Sequence, residues 1–232
     1  MPALHAAVPP SAPIVWVQAG HEGPREPGYR DQTGAGSGPF GSEIGFTTRL
    51  AGRVVVRLRA AGVDARRTPG RVSPLGARGA AFISLHHDAA GGRAGVGRAI
   101  TGTGENWYHG EGGGTPGSQP YSDSAPHRRA TAITPVVERR SLDLARRLAA
   151  TFAPIHTAAR GAHGAFGGVE AREGNRRMNR FYGFYRTRAG ARVLLEAGAP
   201  GADDGFLRRV DPIAVAVARA VRSHLRARGL IR

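Results

Sequence analysis

Three short apolar runs restrict what this chain can fold into. Residues 14–17, 80–85 and 193–195 are too short for helices and too continuously apolar for half-exposed strands, so they read as strands buried on both faces. Between them lie stretches of helical period. Ser42 is placed to cap a helix starting at Glu43, in which Ile44, Thr47, Ala51, Val54, Leu58 and Ala61 recur every three or four residues and Gly62 supplies the stop. Pro135 opens a second helix with Leu142, Ala145, Leu148, Ala149 and Phe152 on its core face. Asp211 and Pro212 form the N-cap and first position of a third, with Ile213, Val217, Ala220, Val221 and Leu225 inward and Gly229 at its end. Further strands are expected at residues 63–65 and 96–101. Buried strands alternating with amphipathic helices predict one α/β domain over residues 14–232, a mostly parallel central sheet flanked by helices on both faces.

The connecting segments are Gly-rich and lack a period. Residues 22–41 read as a loop, residues 160–190 are rich in Gly, Arg and aromatics, and residues 89–134 are expected to form a mobile loop that does not plug a site. The chain has 35 glycines and 16 prolines, just under the level that marks low complexity, and 41% hydrophobic residues supply a core. The absence of cysteine excludes disulfides, thiolate metal sites and a cysteine nucleophile together. No apolar run approaches the ~20 residues that span a bilayer. Residues 1–13 are an Ala/Pro-rich segment that reads as a linker, without the basic and apolar regions of a secretory signal. All 33 basic residues are arginine, against 17 acidic ones, for a net charge of +16. That bias is what a GC-rich coding sequence produces, and it equally suits attraction to a polyanion.

In parallel α/β sheets, ligands bind beyond the carboxyl ends of the strands. His21, the His86–His87 pair and Glu196 each follow a predicted strand within a few residues, and Glu43 opens the helix after the first loop. Two imidazoles and a carboxylate are a donor set suited to Zn²⁺, with a fourth position left for water. A further carboxylate is then needed to move the water's proton, and Glu196, desolvated at the end of an apolar strand, suits that role. Strand alternation sends His86 and His87 to opposite sides, so one of the two at most reaches a shared ion.

These segments resemble the zinc-dependent N-acetylmuramoyl-L-alanine amidases, the peptidoglycan amidases of the AmiC and CwlV type. The family's first motif is a His-Gly-Gly-x-Asp-Pro-Gly-like loop, matched here by His21-Glu22-Gly23-Pro24-Arg25-Glu26-Pro27-Gly28. Its strand-end motif with the third ligand is matched by Phe82-Ile83-Ser84-Leu85-His86-His87-Asp88, which selects His86. Its Ser-x-x-Leu-Ala helix resembles Ser141-Leu142-Asp143-Leu144-Ala145, and its last motif resembles Val193-Leu194-Leu195-Glu196. The resemblance covers residues 14–228 and implies a zinc ion held by His21, Glu43 and His86, with Glu196 as the catalytic carboxylate. It further implies hydrolysis of the amide between N-acetylmuramic acid and L-alanine in peptidoglycan, a monomer, and an extracytoplasmic location. The high positive charge would favour anionic wall polymers. Two segments depart from the family. Residues 68–79 hold Pro69, Gly70, Pro74 and Gly76 where it has a helix, and Ala197-Gly198-Ala199-Pro200 replaces its Gly-Phe-(Ile/Leu)-Ser-Asn.

Two other functions compete with this one. A zinc amidohydrolase for a small N-acyl amino acid would use the same residues in a narrower pocket. A nucleic-acid-binding domain would use residues 172–188, where arginines alternate with Phe181, Tyr182, Phe184 and Tyr185. His109, His127, His156 and His163 have no partner that spacing alone identifies.

Overall fold

A computed structural model describes residues 12–23, 34–70, 77–101, 133–160, 166–172 and 187–232. Its elements in chain order begin with β1 (Ile14–Ala19), β2 (Ser37–Gly38), β3 (Gly41–Ser42), α1 (Glu43–Arg59), β4 (Asp64–Pro69), β5 (Arg78–Gly79) and β6 (Ala81–His86). They continue with β7 (Gly95–Ala99), α2 (Pro135–Arg160), β8 (Val169–Arg172), β9 (Arg188–Ala189), β10 (Arg192–Glu196), α3 (Asp204–Leu207) and α4 (Val210–Ala227). The linker expected in residues 1–13 falls almost wholly outside the described residues.

Six strands form one mostly parallel sheet in the order β4-β1-β6-β10-β7-β8. The first four run parallel, so their carboxyl ends share one edge. β7 pairs antiparallel with β10 and carries β8 parallel to itself. Helices flank this sheet, and the three long ones, α1, α2 and α4, share one core with the same face of its strands.

Period 2 sorts the strand residues between the two faces. Val15, Val17, Ala19, Ala81, Ile83, Leu85, Val193 and Leu195 share one continuous core with α1, α2 and α4. The alternate positions change character along their length. Trp16, Phe82 and Leu194 join a smaller apolar cluster with Ala99, Ile133, Ala189 and Val137. Further along the same strands that face carries Gln18, Ser84, His86 and Glu196, all buried. Ser84 Oγ donates to Gln18 Oε1, and Gln18 Nε2 donates to Gly70 O at 2.9 Å, so these polar groups are satisfied. Strands that start apolar and finish polar deliver chemistry to one edge.

α1 begins where expected: the Ser42 side chain accepts from Gly45 N at 3.2 Å. Its buried face is Phe46, Thr47, Leu50, Ala51, Val54, Val55 and Leu58, with Glu43 at its head. Phe46 and Leu50 carry more of this face than Ile44 and Ala61, which are half-buried. In α2 the core face is Ser141, Leu144, Ala145, Leu148, Phe152 and His156, and Leu142 is only half-buried. Ser141 replaces it because its hydroxyl accepts Arg192 N at 2.9 Å and donates to Val137 O at 2.7 Å, which makes a polar position cheap to bury.

Other expectations are corrected. The strand at 63–65 is β4, shifted and longer, and it occupies the start of the 68–79 segment. The last helix starts at Val210, after the short α3, and no side chain caps it. Asp211 instead reaches Arg57 Nη2 on α1 at 3.1 Å. The strand expected at 96–101 is β7, one residue earlier at its start, and most of the 89–134 segment expected to be a mobile loop, residues 102–132, lies outside the described residues. Among the described residues no helix is long and apolar enough to cross a membrane.

Leu50 is fully buried at the centre of the α1 face. Leu50→Ala should lower unfolding free energy by about 2–5 kcal/mol, through lost transfer energy plus a cavity. Denaturant unfolding with an unchanged m-value is the check.

Candidate metal centre

The sheet edge brings three of the anticipated residues together. His21 follows β1, His86 ends β6, and Glu43 heads α1, and their ligand atoms all lie within 4.8 Å of one another. Glu43 Oε1 is 3.1 Å from His86 Nδ1 and Oε2 is 3.4 Å from His21 Nε2. The two imidazoles meet edge to face with centroids 4.8 Å apart.

Backbone geometry makes this approach possible. Gly20 N donates to Leu85 O at 3.0 Å, and a Cβ on Gly20 would stand 2.4 Å from His86 Cε1. Only glycine lets the β1 turn pass that ring. His21 then adopts φ 62, a left-handed conformation uncommon for a residue with a side chain, which turns its ring toward Glu43. Thr47, one turn after Glu43, donates to Gly20 O at 2.8 Å and ties α1 to the same turn. On the other side, Ala35 N donates to Glu43 Oε2, and Gly34 has no room for a side chain against that carboxylate. Gly20, Gly34, Ala35 and Thr47 are supporting residues that sequence reasoning missed. Thr47 was visible only as a helix-face residue, and nothing in the composition of the 22–41 loop marks Ala35.

Glu43 is fully buried. Burial raises its pKa, but the hydrogen bond to His86 and the charges of His86, His21 and His87 outweigh that cost and hold the carboxyl at about 2. His87 N also donates to Glu43 Oε1 at 3.2 Å. The His87 ring turns away: Nδ1 faces Asp88 O at 2.9 Å, and the ring packs edge-on against Phe40 with centroids 5.1 Å apart. Strand alternation thus separates the neighbours, with His86 in the cluster and His87 in the core wall.

The donor set suits zinc. A four-coordinate ion with ligand bonds of about 2.0–2.2 Å needs donor atoms roughly 3.3 Å apart, close to the two carboxylate–imidazole separations here. Three protein donors leave one position open.

Glu196 is the last residue of β10 and stands in parallel register beside His86, so both side chains leave the same face of the sheet. It is 7% exposed and lines a cavity of about 220 Å³ with Asp88, Arg93, Gly95 and Glu170. Arg93 and Glu170 pair across its rim at 2.8 Å. His156, left without a partner in the sequence, pairs with Asp203 in the core. His109, His127, His163 and most of the 172–188 arginine–aromatic run lie outside the described residues.

No family model matches the chain, and no curated protein matches its sequence. Solved structures match its fold. Ami1 from Mycobacterium smegmatis, an N-acetylmuramyl-L-alanine amidase, superposes with a TM-score of 0.58 at 16% identity, over 94% of this chain and 99% of that one. The amidase AmiC2 of Nostoc punctiforme does so at 0.53 and 18%, over 92% and 97%. The catalytic domain of CwlV from Bacillus (Paenibacillus) polymyxa var. colistinus gives 0.54 and 15%, over 92% and 98%. The chain has the fold of the N-acetylmuramoyl-L-alanine amidases.

The depressed Glu43 carboxyl carries a pH dependence. A group whose folded pKa lies below its unfolded value stabilises the fold fully above the unfolded value, ordinarily 4.5, and loses that contribution as pH falls toward the folded value of about 2. In chelator-treated protein the stability gap between wild type and Glu43→Gln should be widest above pH 4.5 and close between pH 4.5 and 2. Urea unfolding across that range measures it, and a gap independent of pH would show that the carboxylate's charge contributes nothing.

Proposed function

We propose that this chain is a zinc-dependent N-acetylmuramoyl-L-alanine amidase that cleaves the amide between the lactyl group of muramic acid and L-alanine in peptidoglycan. The observation that carries the reading is the His21–Glu43–His86 cluster, seated with Glu196 on one sheet edge of a fold shared with peptidoglycan amidases.

His21, Glu43 and His86 would hold the ion, and the contacts of Glu43 with both imidazoles order these donors. Bound there, zinc supplies a Lewis acid that polarises the scissile carbonyl and lowers the pKa of a coordinated water. Glu196 is the general base and then the general acid. Its carboxylate takes the proton of the attacking water and returns it to the departing alanine nitrogen. The pairing of Glu196 with His86 in parallel register supports that role for its carboxylate.

Peptidoglycan is an extracytoplasmic polymer, and the protein works there as a monomer. Its charge of +16 attracts it to anionic wall polymers at low ionic strength.

The test is paired. Glu196→Gln should keep its zinc and lose about 10²–10⁴-fold in release of stem peptide from purified cell wall. His21→Ala should lose zinc and activity together, read by elemental analysis and the same assay. Near-normal turnover by Glu196→Gln would make Glu196 structural. Hydrolysis of small N-acyl amino acids by zinc-loaded protein that leaves cell wall intact would replace the substrate with the smaller one.

A further inference from the structure

Outside the metal cluster, one polar pair is buried deeper than its chemistry alone requires. His156 Nε2 and Asp203 Oδ1 are 3.0 Å apart, with both side chains fully buried. An ionised carboxylate only accepts, so Nε2 is the donor. The His156 ring lies between Phe152, stacked at 5.9 Å, and Phe206, edge-on at 5.2 Å. Its Nδ1 is buried with no hydrogen-bond partner among the described residues. Leucine or phenylalanine would fill such a niche without stranding a polar atom, so packing does not account for histidine here.

Asp203 leads from this pair to the sheet edge. Its second oxygen accepts Ala199 N at 2.8 Å. Gly198, at φ 154, lies so close that a Cβ would stand 2.8 Å from Asp203 Cβ. The same segment is stitched on its other side to the end of β6. Ala197 N donates to His86 O at 2.9 Å, and Asp88 N donates to Gly198 O at 2.7 Å. Residues 197–199 therefore connect the buried pair to the strand end that carries His86, and they begin directly after Glu196.

We propose that His156 and Asp203 are positioning residues for the reaction: through Ala199 and Gly198 they hold the carboxylate of Glu196 in place beside His86. The inference rests on the reading of Glu196 as general base. It also accounts for the departure from the amidase pattern in this segment. Small residues at 197–199 offer no side-chain anchor of their own, so the anchor comes from α2 and from the residue before α3.

The experiment uses the zinc-loaded full chain and purified cell wall, with kcat, KM, zinc content and melting temperature measured for each variant. His156→Leu should lower kcat by about 10- to 100-fold, the order expected of a misplaced catalytic group, with KM and zinc content within about twofold of wild type. His156→Gln, which keeps an N–H donor, should recover most of that loss. In a Glu196→Gln background His156→Leu should cost nothing further, because there is no base left to position. A His156→Leu variant that melts earlier but keeps kcat overturns the proposal, and so does an equal loss in both backgrounds. Should His156→Leu fail to fold, Asp203→Asn decides by the same comparison, since asparagine still accepts Ala199 N. Glu196→Gln alone separates the two readings: no loss there removes the general base and the pair together, whereas a large loss there with unchanged kcat in the His156 and Asp203 variants removes the pair only.

Discussion

A single carboxylate with no solvent exposure ties the working edge of this molecule together. Glu43 receives His86, His21, His87 N and Ala35 N on its two oxygens, and so joins the ends of β1 and β6, the loop before α1 and the first turn of α1. Burying an anion is costly unless it is paired and hydrogen-bonded. Here both lone-pair sets are used, and the helix N-terminus adds a favourable potential. Withdrawal of that carboxylate would leave two imidazoles and two backbone N–H groups without their shared acceptor, so the geometry of the edge depends on it.

The sheet puts these groups in one place by topology. Parallel strands order their carboxyl ends along one edge, and the register of β1, β6 and β10 aligns Ala19, Leu85 and Leu195, so that the residues just beyond them meet. The face opposite the helical core turns from Trp16, Phe82 and Leu194 to Gln18, Ser84, His86 and Glu196 over a rise of two residues per strand. The apolar end contributes stability through burial, and the polar end is kept in order by the Ser84–Gln18–Gly70 chain of hydrogen bonds.

Glycine matters at two points of closest approach. Gly20 lets the β1 turn pass the His86 ring, and Gly198 lets the β10 turn pass Asp203. Each sits within two residues of a proposed functional side chain, His21 or Glu196. A substitution at either would act on the site through the backbone while leaving every donor atom in the chain.

The sequence by itself determined the strand–helix alternation, the cap at Ser42, and which residues stand at strand ends, because these depend on local period and on residues near one another in the chain. It also placed His86 and His87 on opposite sides, a consequence of strand alternation alone. What only the tertiary structure decided depends on partners far apart in sequence. Ser141 displaces Leu142 from the core of α2 because Arg192 N, fifty-one residues on, donates to its hydroxyl. His156 has its meaning from Asp203, forty-seven residues away, and Glu43 from Ala35, His21 and His86 in three separate segments. Periodicity cannot see such pairs, since a polar residue on a core face is cheap or costly only according to what the fold sets against it.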